Sequence, residues 1–423
     1  MRSLFAFHPS LSTLSPLSRI CASLAVAMST YSGSVSRRNG VAPDDSKLKQ
    51  HHVKGKNGQV TRFENPWPSM GSWKDITIPQ SVRTAIWARI RGKYSFPDAS
   101  GVKIPIVIPS FKPSRVGNSE VLRATWLGHA CCFVEFPSGL RVLFDPVFED
   151  RPAPTQWLGP KRYTPPPCTL ADLPAVDVVV ISHSHYDHLS LKSVKDIARA
   201  HPKAHYFAGL GLASWFRESG IENVTEMDWW EDVDFVLEQE KGTGKEPQDN
   251  EAPSRITAHV SCLPSQHTSG RTGFDKDHTL WASWAIQSGG KSVWFGGDTG
   301  YRTVPELPEE VDDYGPEYAA LPRCPAFAQI GSLRGPFDLG LIPIGAYKPR
   351  FLASPVHSNP YDAVEIFRDT QCRKAIGIHW GTWTLTSEEV DEPPKMLMEA
   401  LRKRGMEERG VFDACAIGES REF

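Results

Sequence analysis

His183-Ser184-His185-Tyr186-Asp187-His188 follows directly on the apolar run Val176-Asp177-Val178-Val179-Val180-Ile181. The run reads as a buried strand, and the hexapeptide as the loop into which it opens. Three imidazoles and a carboxylate in six residues are costly beside a core unless they are hydrogen-bonded or metallated. The N/O donor set suits zinc and related divalent metals. His183, His185 and Asp187 alternate and share one side of an extended segment, while His188 turns toward a neighbouring position. Two metals, rather than one, fit this arrangement.

One hexapeptide cannot close two metal sites, so other segments must contribute. His267 stands in Pro264-Ser265-Gln266-His267-Thr268 after the apolar stretch Ile256–Leu263. Asp298 stands in Gly296-Gly297-Asp298-Thr299-Gly300 after Ser292-Val293-Trp294-Phe295. His379 stands in Ile376-Gly377-Ile378-His379-Trp380-Gly381-Thr382. Each follows a short β-type run beside Gly, Ser or Thr, so each reads as a strand end. Four such ends imply one rim on which they converge.

The order HxHxDH, His, Asp within Gly-Asp-Thr, then His resembles the metallo-β-lactamase superfamily. The resemblance implies an α/β fold, an αββα sandwich with the site at the edge between its sheets. It further implies that His183, His185 and His267 hold one metal, that Asp187, His188 and His379 hold the other, and that Asp298 bridges them. His185 favours a zinc hydrolase, because relatives that do redox chemistry on iron usually carry Glu at that place.

Further stretches narrow the resemblance. Asn65-Pro66-Trp67-Pro68, Gly297-Asp298-Thr299-Gly300-Tyr301, Pro343 through Arg350 (PIGAYKPR), His357-Ser358-Asn359-Pro360 and His379-Trp380-Gly381-Thr382 are similar to the family of N-acyl-phosphatidylethanolamine-hydrolysing phospholipases D. The similarity runs from about residue 60 to about residue 395. It implies two Zn2+ per chain, a phospholipid substrate taken at a membrane surface, and a homodimer. It also implies hydrolysis of the phosphodiester to N-acylethanolamine and phosphatidic acid, with Asp187 as both ligand and catalytic proton acceptor. Water held between two zinc ions has its pKa lowered toward neutrality, and the metals can clamp the non-bridging phosphate oxygens.

Phosphate binding calls for more positive charge. Arg271, four residues beyond His267, is a candidate substrate contact, and Lys348 and Arg350 flank Pro349; an ordinary solvated surface charge is the alternative for each. Tyr186, inside the hexapeptide, either lines the substrate entrance or packs. His129, in Trp126-Leu127-Gly128-His129-Ala130, fits no ligand slot and suits a supporting role behind the ligands. His259 and His278 have no such context.

The 423 residues carry a net charge of −2. Residues 1–43 hold four of the 47 Lys and Arg and no acid, so the remainder has 43 bases against 49 acids, a balance of −6. That argues against a nucleic-acid partner while allowing a local basic patch facing anionic lipid. The eight cysteines, at positions 21, 131, 132, 168, 262, 324, 372 and 415, form no CxxC. Reduced thiols in an intracellular compartment follow as the default.

Residues 1–43 contain ten serines, and the first acid is Asp44. Such Arg- and Ser-rich, acid-free composition is that of a mitochondrial presequence. A secretory signal centred on Ile20–Ala27 and a plain disordered tail are the rivals. No run reaches the roughly 18 apolar residues of a spanning helix, so no transmembrane helix is expected, and the enzyme would be peripheral. Residues 1–60 are expected as targeting segment and disordered linker, including a basic stretch at Lys47–Lys56, and residues 61–423 as the hydrolase domain. Helices are expected over Gln80–Arg91, Leu189–Ala200, Ser214–Ser219, Tyr361–Arg368 and Lys395–Arg404. Strands are expected over Val121–Leu127, Cys132–Phe136 and Leu140–Phe144, and an exposed polar loop over Lys241–Ser254.

Two other functions share parts of this pattern. Another dinuclear hydrolase of the fold (nuclease, thioesterase or lactonase) would bring a basic exosite or lack the Asn-Pro-Trp and Ile-Gly-Ala-Tyr stretches. A lipid-binding relative without activity would have lost ligands, and none of the seven is missing.

Overall fold

The computed structural model describes residues 31–75, 90, 95–112, 115, 120–240, 252–308 and 311–423. Two sheets lie face to face. One has the order β17-β4-β5-β6-β7-β8-β9, with β4 Arg123–Gly128, β5 Cys131–Glu135, β6 Arg141–Phe144, β7 Val178–Val180, β8 His205–Gly209, β9 Val224–Met227 and β17 Ser420–Glu422. The other has the order β1-β10-β11-β12-β13-β14-β15-β16. Its strands are β1 Tyr31–Arg38, β10 Asp232–Gln239, β11 Arg255–Leu263, β12 Ser283–Ser288, β13 Lys291–Phe295, β14 Phe337–Pro343, β15 Cys372–Ile378 and β16 Phe412–Asp413. A short hairpin of β2 His52–Lys54 and β3 Val60–Phe63 stands apart.

The period-2 pattern builds the layers. Val178 and Val180 enter the core between the sheets, where Phe144 meets Phe295 with ring centroids 4.7 Å apart. Val179 and Ile181 point the other way, into a second cluster with Val194, Ile197 and Phe216. Those last three belong to helices α1 Leu191–Ala200 and α2 Ala213–Glu218. The first of these starts on the Ser190 hydroxyl, which accepts the Ser193 N–H. On the far side lie α3 Ala326–Arg334, the short α4 Arg350–Ala353, α5 Pro360–Asp369 and α6 Glu392–Lys403. Of these, α3, α5 and α6 bury Phe327, Ile330, Ile366 and Leu397 in the main core. The architecture is the expected αββα sandwich. Trp281 and Trp284 are buried core residues, as their context suggests.

The linker expected before residue 60 differs from what the chain does there. Tyr31–Arg38 pairs antiparallel with Asp232–Gln239 as an edge strand, and Tyr31 is buried. An edge strand is held by main-chain bonds, so its Ser and Arg content does not prevent pairing. Residues 44–48 form a 3-10 turn and 52–54 a strand, inside the stretch read as basic linker. Residues 1–30, nearly all of the helix expected at Gln80–Arg91, and most of the loop at Lys241–Ser254 lie outside the described residues. Among the described residues no helix is long and apolar enough to cross a membrane.

One histidine in the scaffold predicts a pH effect. Burial pushes the His205 imidazole on β8 down to about 4 from the ordinary 6.5. The unfolded chain then binds the proton more readily than the folded one. The penalty is absent above pH 6.5 and grows as pH falls from 6.5 toward 4. His205→Gln is expected to remove about 2 kcal/mol of this acid lability, read as a smaller loss of urea midpoint across that window.

Candidate metal centre

Parallel β6 and β7 end on one rim. In the opposite sheet β13, β14 and β15 are mutually parallel and β11 shares their direction, since it and β13 both run antiparallel to β12. The four donor-bearing segments leave from the ends of β7, β11, β13 and β15. The Ile181 N–H still donates to Phe207 O at 2.9 Å, after which the hexapeptide departs. The His188 and Leu189 N–H groups both donate to His185 O, at 3.1 and 2.8 Å. This turn brings the His188 ring back beside that of His183, with centroids 4.2 Å apart.

The structure brings all seven expected residues together. His183 Nε2 and His185 Nδ1 are 2.8 Å apart, and His267 Nε2 lies 3.3 Å from the same His185 nitrogen. Asp187 Oδ2 lies 3.4 Å from His188 Nε2 and 3.6 Å from His379 Nε2. Asp298 stands between the two groups. Its Oδ2 is 3.1 Å from His188 Nε2, 3.7 Å from His267 Nε2 and 3.9 Å from His183 Nε2, and its Oδ1 is 2.9 Å from His379 Nε2. Gly297, with φ +57°, permits this approach, because a Cβ there would lie 2.5 Å from that of Ser182.

Supporting contacts orient the rings. His267 Nδ1 lies 2.8 Å from Val356 O, leaving Nε2 for the centre. Asn65, of the Asn-Pro-Trp stretch, donates its amide to His267 O at 2.7 Å. Asp145 is fully buried; it accepts the Ser182 N–H at 2.8 Å and sits 2.6 Å from His188 Nδ1. His129 takes the supporting place its context suggests, with Nε2 3.0 Å from Asp187 Oδ2. The His379 N–H donates to His129 O at 2.8 Å.

The donors fit metal ions. Buried His188 Nε2, His379 Nε2 and Asp298 Oδ1 have no hydrogen-bond partner despite their close neighbours, which suits atoms aimed at shared cations. Burial, reinforced by neighbouring imidazoles, holds His183 and His267 well below the ordinary range, as neutral ligands must be. Burial alone would raise Asp298, but His188 and His379 hold it well below the usual carboxylate range. Asp187 is held low in the same way by His188 and His129. Burial would lower His379, but Asp298 and Asp187 raise it to about 9. Two carboxylates thus call for positive charge, which protons or divalent cations can supply at the same nitrogens.

Arg271 and Tyr186 take structural contacts here. Arg271 Nη1 donates to Ser184 O and Leu189 O at 2.8 and 2.7 Å, and its guanidinium stacks 4.0 Å from the Tyr186 ring centroid. It clamps the metal loop from outside. Arg350 is neither solvated nor a phosphate contact. It is enclosed with Asp313 and Asp362, while Lys348 Nζ pairs with Glu392 at 2.8 Å.

Sequence reasoning did not assign Asp145 or His357 to the centre. His357 Nδ1 lies 3.9 Å from Asp298 Oδ2, and its ring stacks on His379 at 5.4 Å. The available signals were a lone Asp at the end of β6, and a His just ahead of the Asn359 helix cap. Asp145→Asn is expected to weaken metal binding by about 10–100-fold with the fold intact, measured by competition with a chromophoric chelator.

The fold and its donor rim define a metal-dependent hydrolase of the β-lactamase superfamily, and the model of the Beta-lactamase superfamily domain matches residues 140–380. N-acyl-phosphatidylethanolamine-hydrolyzing phospholipase D 1 of Caenorhabditis elegans is 39% identical over 289 residues, 67% of this chain and 70% of that protein. The mitochondrial N-acyl-phosphatidylethanolamine-hydrolyzing phospholipase D of Saccharomyces cerevisiae is 31% identical over 73% of this chain and 57% of its own length. A solved metallo hydrolase from Ignicoccus hospitalis is 19% identical, with a TM-score of 0.45 over 72% of this chain and 98% of its own. Within the superfamily, the chain belongs to the family of N-acyl-phosphatidylethanolamine-hydrolysing phospholipases D. It is an enzyme, a metal-dependent hydrolase acting on phosphoric diester bonds.

Proposed function

We propose that the protein is a zinc phosphodiesterase that converts N-acyl-phosphatidylethanolamine and water into N-acylethanolamine and phosphatidic acid. The observation that carries this reading is the pairing of two donor groups, His183/His185/His267 and Asp187/His188/His379, across the single buried carboxylate of Asp298. The first group would hold one Zn2+, the second the other, and Asp298 both. When bound, two such ions supply a water of lowered pKa and a clamp for phosphate oxygens.

The remaining steps rest on side chains. Asp187 is partly exposed at the rim and would take the proton of the attacking water. His129, 3.0 Å behind its Oδ2, would keep that carboxylate turned toward the reaction. Asp145 fixes His188 from the second nitrogen, so the two imidazoles and two carboxylates hold their places as charge moves from the attacking to the leaving oxygen. His357, half-buried beside Asp298, faces the same space and would contact the leaving alkoxide side.

The name of the yeast relative includes "mitochondrial", which supports reading a presequence within the acid-free residues 1–43 and the enzyme as peripheral to an intracellular membrane. Incubation of the pure protein with N-acyl-phosphatidylethanolamine in detergent micelles tests the reaction. Mass spectrometry should find N-acylethanolamine and phosphatidic acid in equal amounts. Diacylglycerol, or a free fatty acid, would overturn the assignment.

A further inference from the structure

The rim that carries the donors also carries several exposed large apolar side chains, among them Phe274, the most exposed of the described residues. The loop after β6 presents Trp157, 75% exposed, and Leu158, and the loop after β11 presents Phe274, 95% exposed. Leu191, exposed at the first position of α1, stands just after the hexapeptide. Because β6, β7 and β11 all end on this rim, the two loops flank the metal loop on either side.

These tips are braced. The Gly270 N–H donates to Ser184 Oγ at 3.1 Å, and Arg271 bonds Ser184 O and Leu189 O, tying the Phe274 loop to the hexapeptide. On the other side the Phe148 N–H donates to Ser193 Oγ at 3.0 Å, and Arg151 Nε donates to Gln156 O at 3.1 Å, which shapes the turn that shows Trp157. Two loops pinned to the same short segment, each lifting an aromatic ring into solvent, is not how a surface minimises apolar exposure. Lys195 and Arg199 follow Leu191 at intervals of four on the outward face of α1, with Lys192 beside them, and Asp196 is the one acid of that helix.

We propose that this rim is the edge by which the enzyme sits on an anionic lipid surface. Phe274, Trp157 and Leu158 would enter the headgroup–acyl boundary, while the α1 cations meet the phosphates. Aromatic rings favour that boundary, and clustered Lys and Arg favour anionic leaflets. The proposal rests on the phospholipid reading above, and it deepens it. Acylation turns the ethanolamine nitrogen into a neutral amide, so the lipid keeps only its phosphodiester charge and is itself anionic. A rim seated on the bilayer places the donors where such a headgroup lies.

The test is co-sedimentation of the full-length protein with phosphatidylcholine vesicles, with and without phosphatidic acid. Wild type is compared with Phe274→Ser, Trp157→Ser and the double variant. Each single change should weaken binding about tenfold and the pair about a hundredfold, with the larger signal on vesicles containing phosphatidic acid. Hydrolysis of a short-chain, monomeric N-acyl-phosphatidylethanolamine should remain at the wild-type rate, which also shows that the variants fold. Undiminished vesicle binding by the double variant would overturn the proposal. So would a change in oligomeric state by analytical ultracentrifugation, since a second copy would then be what covers the rim. If wild type bound vesicles through these residues but left the short-chain lipid intact, the substrate reading would fail while the docking edge stood.

Discussion

Asp298→Asn should leave a folded protein whose phosphodiesterase activity falls by at least about 10³-fold and whose metal content drops below two per chain. The side chain is buried, and five imidazole nitrogens lie within 2.9–3.9 Å of its two oxygens. An amide keeps the shape but removes the anion and turns one acceptor into a donor facing His188 or His379. The carboxylate is the only one among the described residues that approaches both donor groups, so no neighbour can substitute. Elemental analysis, a thermal melt and turnover on one preparation would check this. A variant that keeps both metals and full activity would contradict the bridging place given to Asp298.

The second large effect concerns stability. Asp362 is completely buried at the start of α5, where it meets Arg350 Nη2 at 2.9 Å, Arg302 Nε at 3.3 Å and the Tyr314 hydroxyl. Arg350 also donates to Asp313 at 2.8 Å, and Arg302 lies 3.7 Å over the Tyr314 ring. Asp362→Ala would leave two enclosed guanidinium groups with one carboxylate between them, a loss of about 3–5 kcal/mol. A fall in Tm on the order of 10 °C should follow. Arg302 follows directly on the Gly-Asp-Thr-Gly-Tyr stretch, and Arg350 ends the stretch from Pro343. The cluster therefore joins two of the segments that set this family apart, and metal loss should follow unfolding without preceding it. A shift of only a degree or two would mean that water reaches the cluster and screens it.

Much of the fold could be read in advance because its strongest signals are local. The apolar run Val176–Ile181 with its polar hexapeptide, and the strand ends before His267, Asp298 and His379, each combine a short apolar run with costly polar residues. The helices expected over Leu189–Ala200, Tyr361–Arg368 and Lys395–Arg404 form within a few residues of those bounds, as Leu191–Ala200, Pro360–Asp369 and Glu392–Lys403. The edge strand Tyr31–Arg38 did not, because its place depends on main-chain pairing with Asp232–Gln239, and its Ser and Arg composition pointed to a leader. Asp145 and His357 were missed for a different reason. Each reaches the centre across a tertiary contact, with His188 or with Asp298 and His379, and a single Asp or His in a loop carries no such partner in its own neighbourhood. For Arg271, spacing from His267 could not show that the guanidinium bonds the backbone carbonyls of Ser184 and Leu189. The same holds for Arg350, whose loop folds inward onto Asp313 and Asp362.

The most direct test is to incubate the full-length protein with N-acyl-phosphatidylethanolamine in ¹⁸O-labelled water, with bound metal counted on the same sample. The account predicts about two zinc ions per chain and ¹⁸O in the phosphate of phosphatidic acid, because water attacks phosphorus. Label in any other product, or turnover by a preparation with fewer than one metal per chain, would contradict it.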